Sequence, residues 1–539
     1  MNRLLDAFYL PPALAATVET TTQRFGAPSD PLEIRLPLIA PETLVRWIEH
    51  LRAARAKRLA GRSTAATLRS LNRVVDRFLD PRSRQRREAI EALARTGTFS
   101  APMLAHAFDD AFQPLAHGGL SRWLAAELGS SQALDRPMPG PGGTRRQAHG
   151  PEWMLQIYAG NVPTVPVLPL FSALLMKSAL LAKTSAQEPL FAPLLARAIA
   201  EVDPELGECM AIVWWKGGQS ELDREALTRA PAVLAFGGEA SSASIAHAAN
   251  PTAAVVLHGP KVSVGYVGAG AMRRGALHTL AARAAHDVAL YDQQGCLSPH
   301  AFYVERGGMV SPVAFAEALA SALEEASRRL PRREPTPAAA ASVQMSRAQA
   351  ALEAATGRVT QVLESERGTE WTVIFEEAGN ARFEPGPRHR VVRVQAVADV
   401  EEFVHAVTGG ERYLEAIAVE ERGARRERLI ARLAALGVPR ITSVGALQRP
   451  SPLGTHGGVT RLGPFLHWTT IETGGVPRAR ITPRTRTAPS AGGAAKKRSA
   501  PKRTAPAPKK KRSPTKKARA SASRPSGRGS RKGGGRSRR

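Results

Sequence analysis

From Trp153 onward the chain repeats one local pattern. Short runs of Val, Leu, Ile and Ala each break off into a polar or glycine-bearing loop: "MLQIYAGN", "ALLAKTS", "AIVWWKGG", "AVLAFGGEA", "AAVVLHG" and "HAFYVER". Longer segments with helical spacing lie between them, among them "EPLFAPLLARAIAEV" and "SPVAFAEALASALEEASRRL". A strand covered on both faces reads as a continuous apolar run, and parallel neighbours need a crossover element between them. The alternation therefore restricts this region to parallel α/β architecture. In open sheets of that kind ligands lie outside the carboxyl ends of the strands. The loops that follow the runs are where chemistry is expected.

The regions on either side read differently. Residues 1–145 are expected to be mostly helical. "PETLVRWIEHLRAARAKRLA" sets Leu44, Trp47 and Leu51 at helical spacing, and "TAATLRSLNRVVDRFLD" does the same with Leu68, Leu71, Val75 and Leu79. "RPMPGPGGTRRQAHGP", at 136–151, reads as a linker or exposed loop. At the other end, residues 478–539 hold 23 Lys and Arg and no Asp or Glu, so of the net charge of +28 only +5 belongs to everything before them. This Lys/Arg/Pro/Ala-rich tail, from 476, carries no aromatic residue and too little apolar surface to fold alone.

No apolar run reaches the roughly 20 residues of a membrane helix. The nearest, Val165–Ala182, is interrupted by Pro166, Pro169 and Lys177 and reads as core. The opening "MNRLLDAFYLPPALAA" lacks the charge-then-apolar order of a secretion signal. Two cysteines, Cys209 and Cys296, do not make a disulfide framework, and a reducing cytoplasm is the expected location.

Four loops carry candidate chemistry. In "YDQQGCLSPH", Cys296 follows a glycine and a polar run; a thiolate is a strong nucleophile, and Gly295 would let the backbone turn sharply. The bland reading is a small buried hydrophobe, which suits Cys209 in "LGECMAIV" better. In "YAGNVPTVPVLPL", Asn161 ends a strand before two prolines and could donate to a developing oxyanion. In "LLAKTSAQEP", Lys183 with Thr184 and Ser185 suits phosphate or ribose hydroxyls. In "LAFGGEASSAS", Phe236, Gly237 and Gly238 open a helix and suit a pyrophosphate. Each alone has an ordinary structural explanation: an Asn near a turn, a snorkelling Lys, a glycine pair between strand and helix.

Together and in this order they resemble the aldehyde dehydrogenase superfamily. More narrowly, "YAGNVPTVPVLPL", "EVDPELGECMAIVWWKGG", "VALYDQQGCLSP" and "PLGTHGG" are similar to the LuxC-type acyl-CoA reductases, over roughly residues 35–473. The resemblance implies a Rossmann-type cofactor domain at 146–268, an α/β catalytic domain at 269–448 and a return segment at 449–475, after the helical N-terminal part and before the disordered basic tail. It implies Cys296 as nucleophile toward an acyl-CoA thioester. Asn161 and the Cys296 N–H would hold the oxyanion, and NADPH would reduce the acyl-enzyme to a fatty aldehyde. The dinucleotide would lie against Lys183, Thr184, Ser185 and Ala186 and against Phe236, Gly237 and Gly238. It also implies a homo-oligomer, and no metal.

The departures from the superfamily pattern inform as well. "VLHGPK" has Leu257 or His258 where hydrolytic relatives carry a water-activating Glu, so free acid should form slowly. His258 reads as an acid, a base or an ordinary packed histidine. Ala186 stands where NAD-preferring relatives often have a Glu on the ribose 2′-hydroxyl, which leans toward NADPH. Glu384 in "RFEPGPRHR" is too poor a match for the carboxylate that grips the nicotinamide ribose. A rival function rests on the tail: nonspecific binding of DNA, RNA or polyphosphate, with a secondary or inactive enzyme body.

Overall fold

The computed structural model describes residues 4–472, apart from 27–30, 97–98, 219, 358–360, 367, 378 and 380. The tail reading for 476–539 lies outside the described residues, as does the end of the 449–475 segment.

Two sheets dominate. The first has five strands, all parallel, in the spatial order Ala254–His258, Ala232–Phe236, Trp153–Ile157, Ala179–Lys183, Met210–Val213. The chain starts in the middle, winds outward one way and then returns to wind the other way. The order reverses between Trp153–Ile157 and Ala232–Phe236, the switch point at which such sheets open a crevice. Every residue of Ala179–Lys183 and of Met210–Val213 is buried, as continuous apolar runs require.

The second sheet has seven strands, in the order Gln361–Glu364, Thr372–Glu376, Val391–Val397, Pro299–Glu305, Val262–Val267, Leu414–Glu420, Ile441–Thr442. Only Gln361–Glu364 runs antiparallel to its neighbour. Helices Leu277–Ala289 and Pro312–Arg329 bury Ala284, Val288, Phe315 and Leu319 in the same core as Phe302 and Val304 of this sheet.

The N-terminal helices pack on the five-stranded side. Pro41–Ala54 buries Leu44, Trp47, Ile48 and Leu51, and Thr64–Leu79 buries Leu71, Val74, Val75 and Phe78. Leu68 and Leu79 are only partly covered. Phe78 stacks on Phe112 at 4.7 Å and meets Phe191 edge-on at 5.9 Å, which ties the helical part to the α/β core.

Two stretches differ from the sequence reading. Within the helical N-terminal part, Leu32–Pro37 pairs with Thr20–Phe25 and Leu5–Asp6 in a small sheet. Leu32, Ile34 and Leu36 alternate with the less buried Glu33 and Arg35, a period of two that the helical reading passed over. The Pro/Gly-rich stretch at 136–151 is not a bare linker: Met138–Pro139 and Arg145–His149 pair around a turn where Gly142 and Gly143 adopt φ of +66° and +79°. Arg145–His149 then pairs with His467–Ile471. Among the described residues, no helix is long and apolar enough to cross a membrane.

Candidate active site

A cavity of about 1100 Å³ separates the two sheets. The carboxyl ends of all five parallel strands open into it, through Ile157–Asn161, Lys183–Ala186, Trp214–Gly217, Phe236–Gly238 and His258–Lys261. The seven-stranded sheet contributes its amino ends instead: Val262, Cys296 and His300 around the start of Pro299–Glu305, Glu415 at the start of Leu414–Glu420, and Arg440 before Ile441–Thr442. The expectation that chemistry follows the strands therefore holds for one sheet only; Cys296 precedes its strand.

Helix Leu277–Ala289 ends just before the loop that carries Cys296. Tyr291, Asp292 and Gln293 then adopt φ of +57°, +50° and +60°, the left-handed region that costs a non-glycine residue about 1–3 kcal/mol each. Gly295 is not among the positive-φ residues, so the sharp turn lies upstream of it. What holds three such residues is visible. Asp292 Oδ1 accepts from Arg390 Nε at 2.8 Å and lies 2.7 Å from Nη2, and Arg390 is fully buried. Arg390 also donates to Ser327 Oγ and the Leu330 carbonyl. Arg388, His389 and Arg390 are left-handed too, and the His389 N–H donates to the Asp292 carbonyl, so two left-handed turns face each other. Tyr291 lies against Phe99, and its hydroxyl is 3.1 Å from that of Thr164. Gln293 Nε2 donates to the Pro299 carbonyl.

Cys296 sits half-buried at the end of this turn, and its carbonyl accepts from Ser263 Oγ. Burial pushes the thiol up to about 12, and the Glu415 carboxylate adds to the shift. The N–H groups of Cys296 and Leu297, and Arg440, act the other way. Burial thus favours the neutral thiol over the thiolate. Asn161 lines the same cavity, with Nδ2 donating to the Gln294 carbonyl at 2.7 Å. One of its two N–H groups is thus spent on the loop that carries Cys296.

Lys183 Nζ is 2.9 Å from Asp223 Oδ1 and 4.8 Å from the centre of the Trp215 ring. Asp223 spends its remaining capacity on Trp215 Nε1 and the Gly218 N–H, and it does not line the cavity. Thr184 is buried and Ser185 Oγ accepts from the Gln187 N–H, while Ala186 is exposed. Gly238 precedes helix Glu239–Ala248, and a side chain there would meet nothing within 4 Å. That open entry to a helix N-terminus fits a dinucleotide pyrophosphate.

His258 is a packed histidine. It stacks on Phe236 at 5.0 Å and on His456 at 4.0 Å, and burial lowers it to about 4. Glu384 is bound to Arg382 at 2.7 Å and stands outside this cavity. Cys209 is buried elsewhere, its thiol against the Glu205 carbonyl. Sequence reasoning missed Glu415, Arg440 and Lys216. Lys216 is exposed, lines the same cavity as Lys183, and makes no ion pair among the described residues. Its signal was present in "AIVWWKGG", a polar residue in the loop that follows a strand of the five-stranded sheet.

Residues 59–468 match the acyl-CoA reductase (LuxC) family. The chain belongs to that family. Among individual relatives, the long-chain acyl-protein thioester reductase of Photorhabdus luminescens is 34% identical over 190 residues, which cover 34% of this chain and 38% of that protein. The protein of the same description from Aliivibrio fischeri is 28% identical over 181 residues, covering 33% and 36%. The chain thus matches little more than a third of the length of these family relatives. Among solved structures, a mutant of aldehyde dehydrogenase C from Pseudomonas syringae, in complex with NAD+ and octanal, superposes with a TM-score of 0.64 at 14% identity, covering 86% of this chain and 96% of that one. Indole-3-acetaldehyde dehydrogenase with NAD+ gives 0.64 at 16% identity, covering 83% and 92%. The family thus has the aldehyde-dehydrogenase-like α/β fold here.

Proposed function

We propose that this chain is an NADPH-dependent reductase of long-chain acyl thioesters, with acyl-CoA as donor and a fatty aldehyde as product. The observation that carries the reading is the convergence of Cys296, Asn161 and the Gly237–Gly238 helix entry on one cavity. Cys296 attacks the thioester carbonyl as a thiolate; the acyl group passes to its sulfur and the donor thiol leaves. Asn161 Nδ2 and the Cys296 N–H hold the negative oxygen. A dihydronicotinamide held in this cavity would supply the hydride that reduces the acyl carbon. Cys296 then departs as thiolate, releasing the aldehyde. Lys183, Thr184, Ser185 and Ala186 take the adenosine ribose, Lys216 takes a 2′-phosphate, and Phe236, Gly237 and Gly238 take the pyrophosphate. No metal takes part in these steps. With His258 neutral and packed, and no Glu in "VLHGPK", water attacks the acyl-enzyme slowly. The chain works in the cytoplasm as a homo-oligomer. The relatives' acyl-protein donors make a protein-bound thioester the competing substrate class.

The test is NADPH oxidation against acyl-CoAs of increasing chain length, with aldehyde trapped as product. Rates should rise with chain length. Aldehyde oxidation without coenzyme A should be poor and should rise on adding the thiol; rapid release of free acid would sink the mechanism.

A second reading concerns the tail, whose 23 positive charges meet no acid. It binds DNA, RNA or polyphosphate by counterion release, with little sequence preference. Deleting 476–539 should abolish a gel shift at low salt and leave turnover nearly intact. A truncated protein that shifts DNA like the full chain would refute it.

A further inference from the structure

At the edge of the same cavity, which Asp110 lines, three ligand-type atoms converge with no hydrogen-bond partner among the described residues. His106 and Asp110 lie four residues apart on helix Ala101–Phe112, hence on one face. His286 comes from helix Leu277–Ala289. His106 Nε2, Asp110 Oδ2 and His286 Nε2 are all buried, and none has a hydrogen-bond partner among the described residues. The three residues' ligand atoms lie within 4.8 Å of one another. His106 Nε2 and Asp110 Oδ2 are 3.5 Å apart, too far for a good hydrogen bond. The two imidazoles meet edge to face at 5.1 Å, so neither shields the other by stacking.

From these three unpartnered atoms we infer that His106, Asp110 and His286 bind a divalent transition-metal ion, zinc in the first instance. Two imidazoles and a carboxylate make a donor set for such an ion, with a fourth position left for water. Zn–N and Zn–O bonds of about 2.0–2.2 Å put tetrahedral ligands about 3.3 Å apart. The His106–Asp110 pair already stands near that spacing, and His286 closes the rest. The second carboxylate oxygen is held as metal sites usually hold it: Asp110 Oδ1 accepts from Arg449 Nε at 2.8 Å. The Asp110 side chain is only 6% exposed.

The place of the site gives it a role. Close by, the sulfur of Met103 on helix Ala101–Phe112 accepts from the Tyr291 N–H, just beyond helix Leu277–Ala289, and Phe99 packs edge-on against the Tyr291 ring. An ion at His286 therefore ties the N-terminal helices to the helix that ends in the strained turn before Cys296. It is a structural clamp on the nucleophile loop, and it supplies no step of the reaction.

The test uses the full chain carrying Cys296→Ser, which removes the half-exposed thiol as a competing ligand. Chelator-treated protein is titrated with Zn²⁺ by calorimetry and with Co²⁺ by visible absorption, and its thermal midpoint is followed. One ion should bind per chain, Co²⁺ should give the strong bands of a four-coordinate site, and Zn²⁺ should raise the midpoint by several degrees. His286→Gln and Asp110→Asn, which keep volume and polarity, should each weaken binding at least tenfold and remove the Zn²⁺-dependent midpoint shift. If the parent protein binds neither ion, or if both variants bind as it does, the cluster is a polar contact only and the inference falls.

Discussion

On the five-stranded side of the cleft, the loops facing the cavity are short continuations of strands. Their side chains are held from nearby: Lys183 by Asp223 and Trp215, and Gly237 through its N–H on the His258 carbonyl of the neighbouring strand. On the seven-stranded side, Cys296 stands beyond a left-handed turn fixed from across the chain. Arg390 reaches it over 98 residues of sequence, and Met103 over 188. The first wall can lose a side chain and keep its backbone. The second wall's backbone is itself unfavourable locally, and it persists because buried charge and packing over-determine it.

The sharpest consequence concerns the nucleophile. Cys296→Ser should abolish both acyl labelling and NADPH oxidation, whereas Cys209→Ser should leave both near the parent level. Label that stays on the Cys296→Ser protein would move the chemistry to the other wall. Next in size is the lock behind it. Arg390→Met removes the buried guanidinium that grips Asp292 and leaves it only the longer pair with Arg332, at 3.8 Å; breaking a buried pair costs up to about 3–5 kcal/mol. Urea unfolding should read that loss, and alkylation of Cys296 should change with it. Lys216→Met, on the exposed rim of the cofactor wall, should stay within about 0.5 kcal/mol of the parent. Equal losses for the two variants would erase the contrast between the walls.

Smaller again is the cofactor wall's own signature. Lys216→Glu and Ala186→Glu each place a carboxylate near a 2′-phosphate. Either should raise KM for NADPH about tenfold, equivalent to about 1.4 kcal/mol, and KM for NADH much less. Equal effects on both nucleotides would mean that neither position reads the 2′ substituent.

The same contrast decides what the sequence made legible. Strands of the cofactor sheet could be read because each is a local apolar run, and their loops because a short βα connection keeps its residues together in sequence. Cys296 was legible by its setting. The turn that presents it was not: Tyr291 and Gln293, on either side of Asp292, are not residues that favour left-handed backbone, and their partner Arg390 sits in "RHRVVRV", which reads simply as the start of a strand. Glu415 looked like an ordinary residue inside "YLEAIAVE". A single polar side chain becomes part of a site only when distant elements pack around it, and one sequence carries no record of that packing. The strands at 20–25 and 32–37 were lost for a simpler reason, since a short alternating run is easily outvoted by the helices around it.

Glu415 gives the finest test of the second wall. Its carboxyl is pushed up by burial, and its negative charge in turn raises the Cys296 thiol. Arg440 has the opposite effect on the thiol. Removing a negative charge favours the thiolate, so Glu415→Gln should lower the Cys296 pKa and move the pH profile of iodoacetamide alkylation to lower pH. Near neutral pH the alkylation rate should rise several-fold. Arg440→Gln removes a cation and should move the profile to higher pH. Both are best measured on a Cys209→Ser background, where Cys296 is the single thiol. Turnover adds the second half of the test. If Glu415 accepts the thiol proton as substrate enters, Glu415→Gln should reduce kcat even while the resting thiol becomes easier to ionise. Alkylation and kcat moving upward together would make Glu415 a brake on the nucleophile rather than its base. A profile that does not move for either variant would leave burial alone in control of Cys296.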